Sequence, residues 1–376
     1  MNILIIGPAH PLRGGLASFN ERLARAFMQE GHSVSIYTFS LQYPSFLFPG
    51  TTQYSSEPAP VDLNINVSIN SVNPFNWIKT GNTLKNIKPD LIVVRYWLPF
   101  MGPALGTILR RVKKNKYTKV ICIADNIIPH EKRPGDKFFT NYFLKPVDGF
   151  VTMSEKVMSD LRKFTTTKPG RIVLHPLYDN FGEKISKEEA RQHLNISSND
   201  FIFLFFGFIR AYKGLDLLLN AIKILKEKDT QTNWKVMIAG EYYEDKTQYE
   251  QLIKELGIED RLLLKTDFIP DSEVRNYLCS ADCVVQPYRN ATQSGVTPLA
   301  YHFEIPMIVT NVGGLPSLVP HQKAGLICIP EAASIAAAMQ EMKQKGRDYF
   351  INGIKEEKQK YSWAVLSKTI QELAVL

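Results

Sequence analysis

Cysteine is scarce in this sequence of 376 residues, and the few cysteines form no recognisable pattern. The chain has four, namely Cys122, Cys279, Cys283 and Cys328. No histidine or second cysteine pair accompanies Cys279 and Cys283, so we expect core thiols rather than a zinc site. A reduced, cytoplasmic compartment is the simplest inference.

Long apolar runs are also missing. No stretch approaches the roughly 20 residues needed to cross a bilayer. The opening residues, Met1–Gly7, are too few for a signal peptide, carry no basic segment and are typical of a first β-strand. The sequence contains neither internal repeats nor low-complexity segments. We therefore expect a cytoplasmic globular protein.

Two motifs of metal and dinucleotide chemistry are absent. The chain has no Asp-x-Asp and no cluster of histidines and carboxylates at metal-ligand spacing, so no metal site is expected. The segment Pro8–Gly15 joins the first strand to a helix but is not G-x-G-x-x-G, which argues against a dinucleotide-dependent oxidoreductase. We expect no cofactor.

The composition fits a globular protein of two domains. A length of 376 residues, 44% of them hydrophobic, is enough to bury two cores. The formal net charge of +8 fits anionic ligands or an anionic membrane surface and does not choose between them. No helix or strand carries the interleaved basic and aromatic residues of a nucleic-acid-binding module, so nucleic acid is not an expected partner.

Strand-like and helical runs alternate along the chain, which predicts an α/β fold with mainly parallel sheets. Residues 41–78 break this rhythm, because they are rich in proline, asparagine and aromatics without a sustained period; we predict a long ordered excursion with a functional role. A domain boundary is predicted within His175–Asn199, where polar residues replace apolar runs. A helix at Tyr361–Leu376 closes the chain. The predicted strands are Ile3–Gly7, Val34–Phe39, Leu91–Arg95, Val120–Asp125, Gly149–Ser154, Phe201–Phe206, Val236–Gly240, Leu262–Lys265, Asp282–Gln286 and Met307–Thr310.

The most informative stretch follows the apolar run Phe201–Phe206. After this predicted strand, a helical pattern begins at Leu215, so Arg210 and Lys213 lie on the connecting loop. The carboxyl end of a parallel strand is where open α/β sheets bind ligands. Two cations beside the free N–H groups of a helix start favour an anion, although two solvated charges on an ordinary turn would look the same.

A second segment favours the anion site. The strand ending at Gln286 leads to Gln293-Ser294-Gly295, where Ser294 is a predicted N-cap and Gly295 permits close approach of a ligand to the backbone. The first helical turn, from Gly295 to Thr297, would present unpaired N–H groups. Together the two loops predict a diphosphate held by backbone amides, Arg210 and Lys213.

These motifs, in this order, resemble the retaining glycosyltransferases of family 4, and the resemblance covers nearly the whole chain. Its anchors are Gly14-Gly15, Arg210-x-x-Lys213-Gly214, Ser280-Ala281-Asp282 before Gln286-Pro287-Tyr288, Gln293-Ser294-Gly295, and Pro306 followed by Gly313-Gly314-Leu315-Pro316. The resemblance implies the GT-B fold, in which two Rossmann-like α/β domains face each other across a cleft. We expect an acceptor-binding domain at 1–180, a nucleotide-sugar-binding domain at 181–355, and a returning helix at 356–376.

The implied function is transfer of a sugar, with retention, from a nucleotide-diphosphate sugar to an acceptor hydroxyl. The glycan or lipid-linked acceptor points to cell-surface polysaccharide or glycolipid synthesis. The resemblance gives Arg210 and Lys213 catalytic and diphosphate-binding roles. The other expected donor contacts are Gly14, Gly15, Gln293, Ser294, Gly295 and Val296, with Glu241 and Thr297 as further candidates.

Candidate acceptor residues follow two strands of the first half. Many relatives have a histidine near Asp125, so this carboxylate is a candidate to accept the acceptor proton or to orient the hydroxyl; a capping role is the alternative. An aromatic pair in Arg95-Tyr96-Trp97 suits a sugar face or domain packing equally well. Asn126 and His130 complete the candidates, and His130 also fits a structural role.

The chain departs from the family at one pair of positions. Much of the family carries two glutamates eight positions apart, but the equivalent places here are near Ala291 and Leu299, which are apolar. Glu304 does not replace the second glutamate, because five positions along a helix it points roughly 140° away. Ribose binding therefore needs other groups.

Two alternatives and one further surface remain. Another GT-B enzyme, such as a sugar-nucleotide epimerase or a phosphorylase, would not depend on a second sugar acceptor, and a non-catalytic nucleotide-sugar-binding protein would show no turnover. Six cations in residues 110–119 form either a solvated face or a peripheral contact with the anionic inner face of the membrane. These cations are Arg110, Arg111, Lys113, Lys114, Lys116 and Lys119.

Overall fold

A computed structural model describes residues 1–44, 48, 52–129, 133–229, 233–291 and 294–376, and it contains two parallel β-sheets in separate units. The first unit comprises Met1–Pro176 and Ser362–Leu376, and the second comprises Leu177–Tyr361. The family resemblance implied divisions at 180/181 and 355/356. The helix Asp348–Lys358 runs through the latter position and belongs wholly to the second unit.

The first unit is built on a seven-stranded parallel sheet of order β3-β2-β1-β4-β5-β6-β7. Its strands are β1 (Asn2–Ile6), β2 (Ser33–Leu41), β3 (Ile65–Asn70), β4 (Leu91–Tyr96), β5 (Lys119–Ala124), β6 (Gly149–Thr152) and β7 (Gly170–Ile172). Its helices are α1 (Gly15–Gln29), α2 (Pro74–Ile87), α3 (Gly102–Val112), α4 (Asp136–Leu144), α5 (Glu155–Arg162) and α14 (Trp363–Val375).

Apolar spacing explains how α1 and α14 pack in this unit. On α1, Phe19, Leu23 and Phe27 recur at helical spacing and are fully buried. The last helix presents Leu366 and Ile370 in the same way and packs against α1, β5 and β6. Every residue of β4 is buried, as expected for a central strand of a parallel sheet covered on both faces.

The prediction of an irregular excursion at 41–78 is wrong in its second half. Strand β3 occupies Ile65–Asn70, where apolar and polar residues alternate, and α2 begins at Pro74. Asn73 caps this helix, because its side chain accepts hydrogen bonds from the N–H groups of Phe75 and Asn76. The asparagines of this region lie in an edge strand and at a helix cap. Because asparagine is also common in loops, the sequence alone suggested an irregular segment.

The second unit is built on a six-stranded parallel sheet of order β10-β9-β8-β11-β12-β13. Its strands are β8 (Phe201–Phe206), β9 (Trp234–Ala239), β10 (Leu262–Lys265), β11 (Cys283–Gln286), β12 (Met307–Thr310) and β13 (Gly325–Cys328). Its helices are α6 (Lys187–Leu194), α7 (Leu215–Lys228), α8 (Thr247–Leu256), α9 (Val274–Ser280), α10 (Val296–His302), α11 (Leu315–Leu318), α12 (Ala332–Lys345) and α13 (Asp348–Lys358).

The α/β prediction is confirmed, and both sheets have the strand order of a Rossmann-like fold. The order reverses between β1 and β4 in the first sheet and between β8 and β11 in the second. Ligands of such folds bind beyond the carboxyl ends of the strands at this reversal. Strands β3, β7 and β13 were not predicted. No helix in the described parts of the chain is long and apolar enough to cross a membrane.

Candidate functional site

Two loops meet where the strand order of the second sheet reverses. One follows β8 and contains Arg210 and Lys213, and the other follows β11 and leads to α10. The first loop includes a single 3-10 turn, Ala211–Lys213, directly before α7. Since β8 and β11 are neighbours, the fold places the two predicted halves of the anion site side by side.

Gly214 fixes how closely these loops pack. Its backbone is left-handed, with φ of 69°, and a Cβ at this position would lie 2.1 Å from the carbonyl oxygen of Pro287. The N–H group of Arg289 also donates to the carbonyl of Tyr212, at 2.8 Å. Only glycine combines this backbone conformation with this contact, so the motif requires a glycine directly after Lys213.

Lys213 is a buried cation at the centre of this arrangement. Only 8% of the residue is exposed, and its ammonium nitrogen lies 5.8 Å from the ring centroid of Tyr288. A Cβ on Gly207 would lie 3.2 Å from the same nitrogen, so this glycine also leaves room for it. Burial lowers the pKa of Lys213 from its ordinary value of 10.5 to about 7, and repulsion from Arg210 acts in the same direction. An anion beside Lys213 would restore the charged form.

Arg210 is exposed and differs from Lys213 in how it is held. Its guanidinium carbon lies 5.3 Å from the ring centroid of Tyr243, and that ring stacks on Phe208 at 4.1 Å. Glu244, the next residue, accepts the N–H group of Ala211 at 2.9 Å. Tyr243 and Glu244 were not predicted. The available signal in the sequence was the predicted strand end at Gly240, which is followed by two tyrosines and three acidic residues within 241–245.

The start of α10 differs slightly from the prediction. The N-cap residue is Gly295 rather than Ser294, and the helix begins at Val296. Ser294 still acts as a cap, because its hydroxyl oxygen accepts the Val296 N–H at 3.2 Å. Thr297 is fully buried and its hydroxyl pairs with the Gln286 amide, so its side chain is structural. Gln293 lies outside the described residues.

The positions of the absent glutamates lie in packed surroundings. Ala291 is buried, and a Cβ on Gly313 would lie 1.5 Å from its carbonyl oxygen. Leu299 is buried in α10. Glu304 forms ion pairs with Lys184 and Lys358. These pairs outweigh the opposing effect of burial and lower the pKa of Glu304 to about 2, so this carboxylate serves structure. Glu241 is a buried residue directly after β9 and Gly240.

In the first unit, Asp125 and Arg95 form a buried ion pair at the carboxyl ends of β4 and β5. The Nε and one terminal nitrogen of Arg95 donate to the two carboxylate oxygens at 2.7 and 2.6 Å. The guanidinium carbon also lies 3.8 Å from the ring centroid of Phe19. Both candidates are thus brought together, and Asp125 has a structural role in holding Arg95.

The remaining acceptor candidates are divided between core and surface. The Tyr96 ring is fully buried, stacks on Phe143 at 4.2 Å and cannot receive a sugar face. Trp97 is half-buried, and its indole N–H donates to the Tyr43 hydroxyl at 2.6 Å. Asn126 is half-buried beside Asp125. His130 lies outside the described residues.

Gly14 and Gly15 lie at the start of α1, and the basic segment 110–119 includes the end of α3. Gly14 is the N-cap of α1, with φ of 98°, and Gly15 is the first helical residue. In the basic segment, Arg110 packs on the Tyr142 ring with its guanidinium carbon 3.6 Å from the centroid, and Lys113 is paired with Asp148. The described residues include no group of three or more His, Cys, Asp or Glu side chains that could hold a metal ion.

Two family models match the chain, one in each half. The model described as "Glycosyltransferase Family 4" matches residues 13–177, and that described as "Glycosyl transferases group 1" matches residues 186–357. The second match contains the Arg210–Gly214 turn and the loop before α10.

Two curated relatives are similar in sequence. D-inositol 3-phosphate glycosyltransferase of Corynebacterium glutamicum is 27% identical over 237 residues, which are 60% of this chain and 56% of the relative. A putative teichuronic acid biosynthesis glycosyltransferase of Bacillus subtilis, TuaC, is 23% identical over 257 residues, which are 68% of this chain and 61% of the relative. The chain thus spans less than two thirds of the length of either protein.

Solved structures share the fold over the whole length of the chain, and one example is an Anabaena protein. The Anabaena protein HepE, in complex with UDP and glucose, matches all of this chain and all of its own, with a TM-score of 0.75 and 15% sequence identity. At this identity the likeness concerns the fold alone.

Proposed function

Because the chain belongs to the group 1 glycosyltransferases of GT-B fold, resembling family 4, we propose that it transfers a sugar from a nucleotide-diphosphate sugar to an acceptor hydroxyl with retention of configuration. The observation that carries the proposal is the pair of cations, Arg210 and Lys213, on the loop at the strand-order reversal of the second sheet. The expected donor contacts of the second unit are these two side chains and the backbone from Ser294 to Val296.

The chemistry assigned to this loop is stabilisation of a leaving group. The acceptor oxygen forms a bond to the anomeric carbon on the face from which the diphosphate departs, while the bond from that carbon to the phosphate oxygen breaks. Negative charge therefore grows on the diphosphate in the transition state. Fixed cations that meet this charge lower the barrier more than they strengthen ground-state binding. The departing phosphate oxygen takes the acceptor proton.

The acceptor is assigned to the first unit, where Arg95, Asp125 and Asn126 follow β4 and β5. The ion pair of Arg95 and Asp125 gives this strand edge a fixed arrangement of polar groups. Asp125 orients the acceptor hydroxyl in this proposal, and Gly14 and Gly15 bring the start of α1 to the donor or acceptor. Residues 1–180 are the acceptor-binding domain in this proposal.

The names of similar proteins narrow the donor and pathway under this proposal. HepE binds UDP and glucose, which makes UDP the first nucleotide to test. TuaC is named for teichuronic acid biosynthesis, which supports a role in cell-surface polysaccharide or glycolipid synthesis. The chain lacks Asp-x-Asp, and the proposed cations handle the diphosphate charge, so we propose a metal-independent reaction.

A two-stage experiment tests the proposal. A thermal-shift screen with UDP, GDP and ADP identifies the nucleotide, because a ligand that binds only the folded state raises the midpoint of unfolding. Turnover of the matching donor is then measured against a panel of glycan and lipid-linked acceptors, with and without excess EDTA, and the anomeric configuration of the product is read by NMR. An α-linked product from an α-linked donor, formed in EDTA, supports sugar transfer, retention and metal independence.

The other outcomes identify the rival functions. Nucleotide release that needs no acceptor indicates an epimerase or another GT-B enzyme. Binding of the donor without turnover on any acceptor indicates a non-catalytic protein. An inverted product contradicts retention, and loss of turnover in EDTA with rescue by Mg²⁺ or Mn²⁺ contradicts metal independence.

A cytoplasmic location, with peripheral contact at the inner membrane face, is proposed for the case of a lipid-linked acceptor. Lys114 and Lys116 are exposed, whereas Arg110 and Lys113 are engaged with neighbouring residues. Fewer of the six cations are therefore available than the sequence implied. Sedimentation with anionic vesicles should fall as salt rises, and equal binding to neutral vesicles would contradict the contact.

A further inference from the structure

We propose that Tyr243 and Glu244 are positioning residues that hold Arg210 in the orientation in which it meets the donor diphosphate. The inference rests on the function proposed above for Arg210. It adds roles for two residues of the segment 240–246, between β9 and α8, in which the sequence analysis had singled out only Glu241.

The backbone of this segment is tied to the loop that carries Arg210. The hydrogen-bond pattern of β8 and β9 continues past the ends of both strands. The N–H of Gly207 donates to Ala239 at 2.9 Å, that of Ile209 to Glu241 at 2.8 Å, and that of Tyr243 back to Ile209 at 3.0 Å. Ile209, the residue directly before Arg210, is thereby paired with Tyr242, and Tyr243 follows directly after this pair.

The side chain of Tyr243 acts on the guanidinium itself. Arg210 is exposed, and among the described residues no hydrogen bond or ion pair holds its guanidinium. The guanidinium carbon lies over the Tyr243 ring, at 5.3 Å from the centroid. Phe208 stacks on that ring at 4.1 Å, with an angle of 28° between the planes, and so keeps it in place. The ring attracts the cation electrostatically and limits the orientations of a long, otherwise free side chain.

Glu244 holds the backbone on the other side of Arg210. One carboxylate oxygen accepts the N–H of Ala211 at 2.9 Å, and the other accepts the hydroxyl of Tyr249. Tyr249 is a buried residue of α8. The carboxylate thus connects the residue after Arg210 to a helix of the second unit.

These contacts reduce the entropy that Arg210 loses when the donor binds. A free arginine loses rotamer entropy when it is immobilised by a ligand, and a side chain that is already oriented loses less. The benefit continues into the transition state, since an Arg210 group displaced by even 1 Å would stabilise the developing charge poorly. Loss of the Tyr243 ring should therefore affect catalysis through Arg210 alone.

The test is a double-mutant cycle on kcat/KM and on the Kd of UDP, with GDP or ADP in its place if the screen selects one of them. Tyr243→Leu should lower kcat/KM about two- to fivefold, the size expected for an exposed cation over a ring, whereas Tyr243→Phe keeps the ring and should match wild type. In an Arg210→Ala background, Tyr243→Leu should have almost no further effect. Glu244→Ala should behave like Tyr243→Leu in the same cycle.

A matched control comes from α13 in the same unit. The ammonium of Lys345 lies over the Tyr349 ring at 4.6 Å, so Tyr349→Leu removes a similar pair away from the loop and should leave kcat/KM unchanged. The inference would be overturned if the effects of Tyr243→Leu and Arg210→Ala on kcat/KM were fully additive. It would also be overturned if Tyr243→Phe lowered kcat/KM as much as Tyr243→Leu. If Arg210→Ala itself has no effect, the proposed function of Arg210 fails instead.

Discussion

The α-carbon of Gly214 faces the carbonyl oxygen of Pro287 so closely that a Cβ would lie 2.1 Å from that oxygen. The contact locks the turn that carries Lys213 to the loop that leads into α10. It connects the two halves of the proposed diphosphate site, which are far apart in the sequence and adjacent in the sheet.

Gly214→Ala should therefore damage both stability and turnover. The left-handed backbone alone costs an alanine about 1–2 kcal/mol, and the contact with Pro287 forces one loop to move. Gly257→Ala is the matched control, because Gly257 is also left-handed, with φ of 58°, and has open space around its Cβ position. Urea unfolding should show a loss in both variants, while kcat should fall only in Gly214→Ala. Equal kcat in the two variants would contradict a role for the loop contact.

Asp125→Asn should destabilise the first unit and lower kcat with little change in nucleotide affinity. The substitution leaves the buried Arg95 guanidinium without its charged partner, and removing one member of such a pair costs about 3–5 kcal/mol. Asp160→Asn is the control, since Asp160 is equally buried but is paired with the exposed Lys156 and Lys163. The free energy of unfolding should fall less in Asp160→Asn than in Asp125→Asn. Urea unfolding and steady-state kinetics check both variants. An unchanged kcat at full folding would make Asp125 purely structural.

Nucleotide binding should take up a proton above pH 7. The pKa of Lys213 is lowered to about 7 by burial and by Arg210, so the free protein holds it mostly neutral at higher pH. A diphosphate favours the ammonium form, and affinity should therefore fall as pH rises above 7, by up to about tenfold per unit. Calorimetry in buffers of different ionisation enthalpy at about pH 8.5 should show uptake approaching one proton. Uptake that persists in Lys213→Ala would assign the proton to another group.

The lowered pKa of Lys213 also makes the stability of the fold depend on pH. The unfolded chain keeps the ordinary pKa of 10.5, so unfolding takes up a proton between pH 7 and 10.5. Lys213 therefore lowers the free energy of unfolding most below pH 7, and this destabilisation decreases as pH rises from 7 to 10.5. Comparing the pH dependence of unfolding in wild type and Lys213→Ala isolates that contribution.

Local patterns were sufficient to predict the core of the second unit. Phe201–Phe206 is a short apolar run and forms β8 with the predicted bounds. Leu215, Leu218 and Ile222 recur at helical spacing and are fully buried in α7. Because connections in parallel sheets join the carboxyl end of one strand to a helix, the position of Arg210 and Lys213 followed from these two elements alone.

Contacts between distant segments could not be predicted in the same way. Arg95 and Asp125 were both identified as strand-end residues, but their pairing depends on β4 and β5 being neighbours. Tyr243 reaches Arg210 only because β8 and β9 pair in register. Strand β3 was missed for a different reason, since its asparagines are tolerated at a sheet edge and look like loop residues in a sequence.

The turnover rate of Lys213→Ala tests the central claim most directly. Charge grows on the diphosphate as the glycosidic bond breaks, and Lys213 is the buried cation of the loop proposed to meet it. We expect kcat to fall about 100- to 1,000-fold with the fold intact by circular dichroism, and Lys213→Arg to rescue poorly because a planar guanidinium does not replace a compact ammonium. The control Lys223→Ala removes a half-buried lysine of α7 that pairs with Glu227 and should leave kcat unchanged. A Lys213→Ala protein that turns over donor at nearly the wild-type rate would show that the active site lies elsewhere.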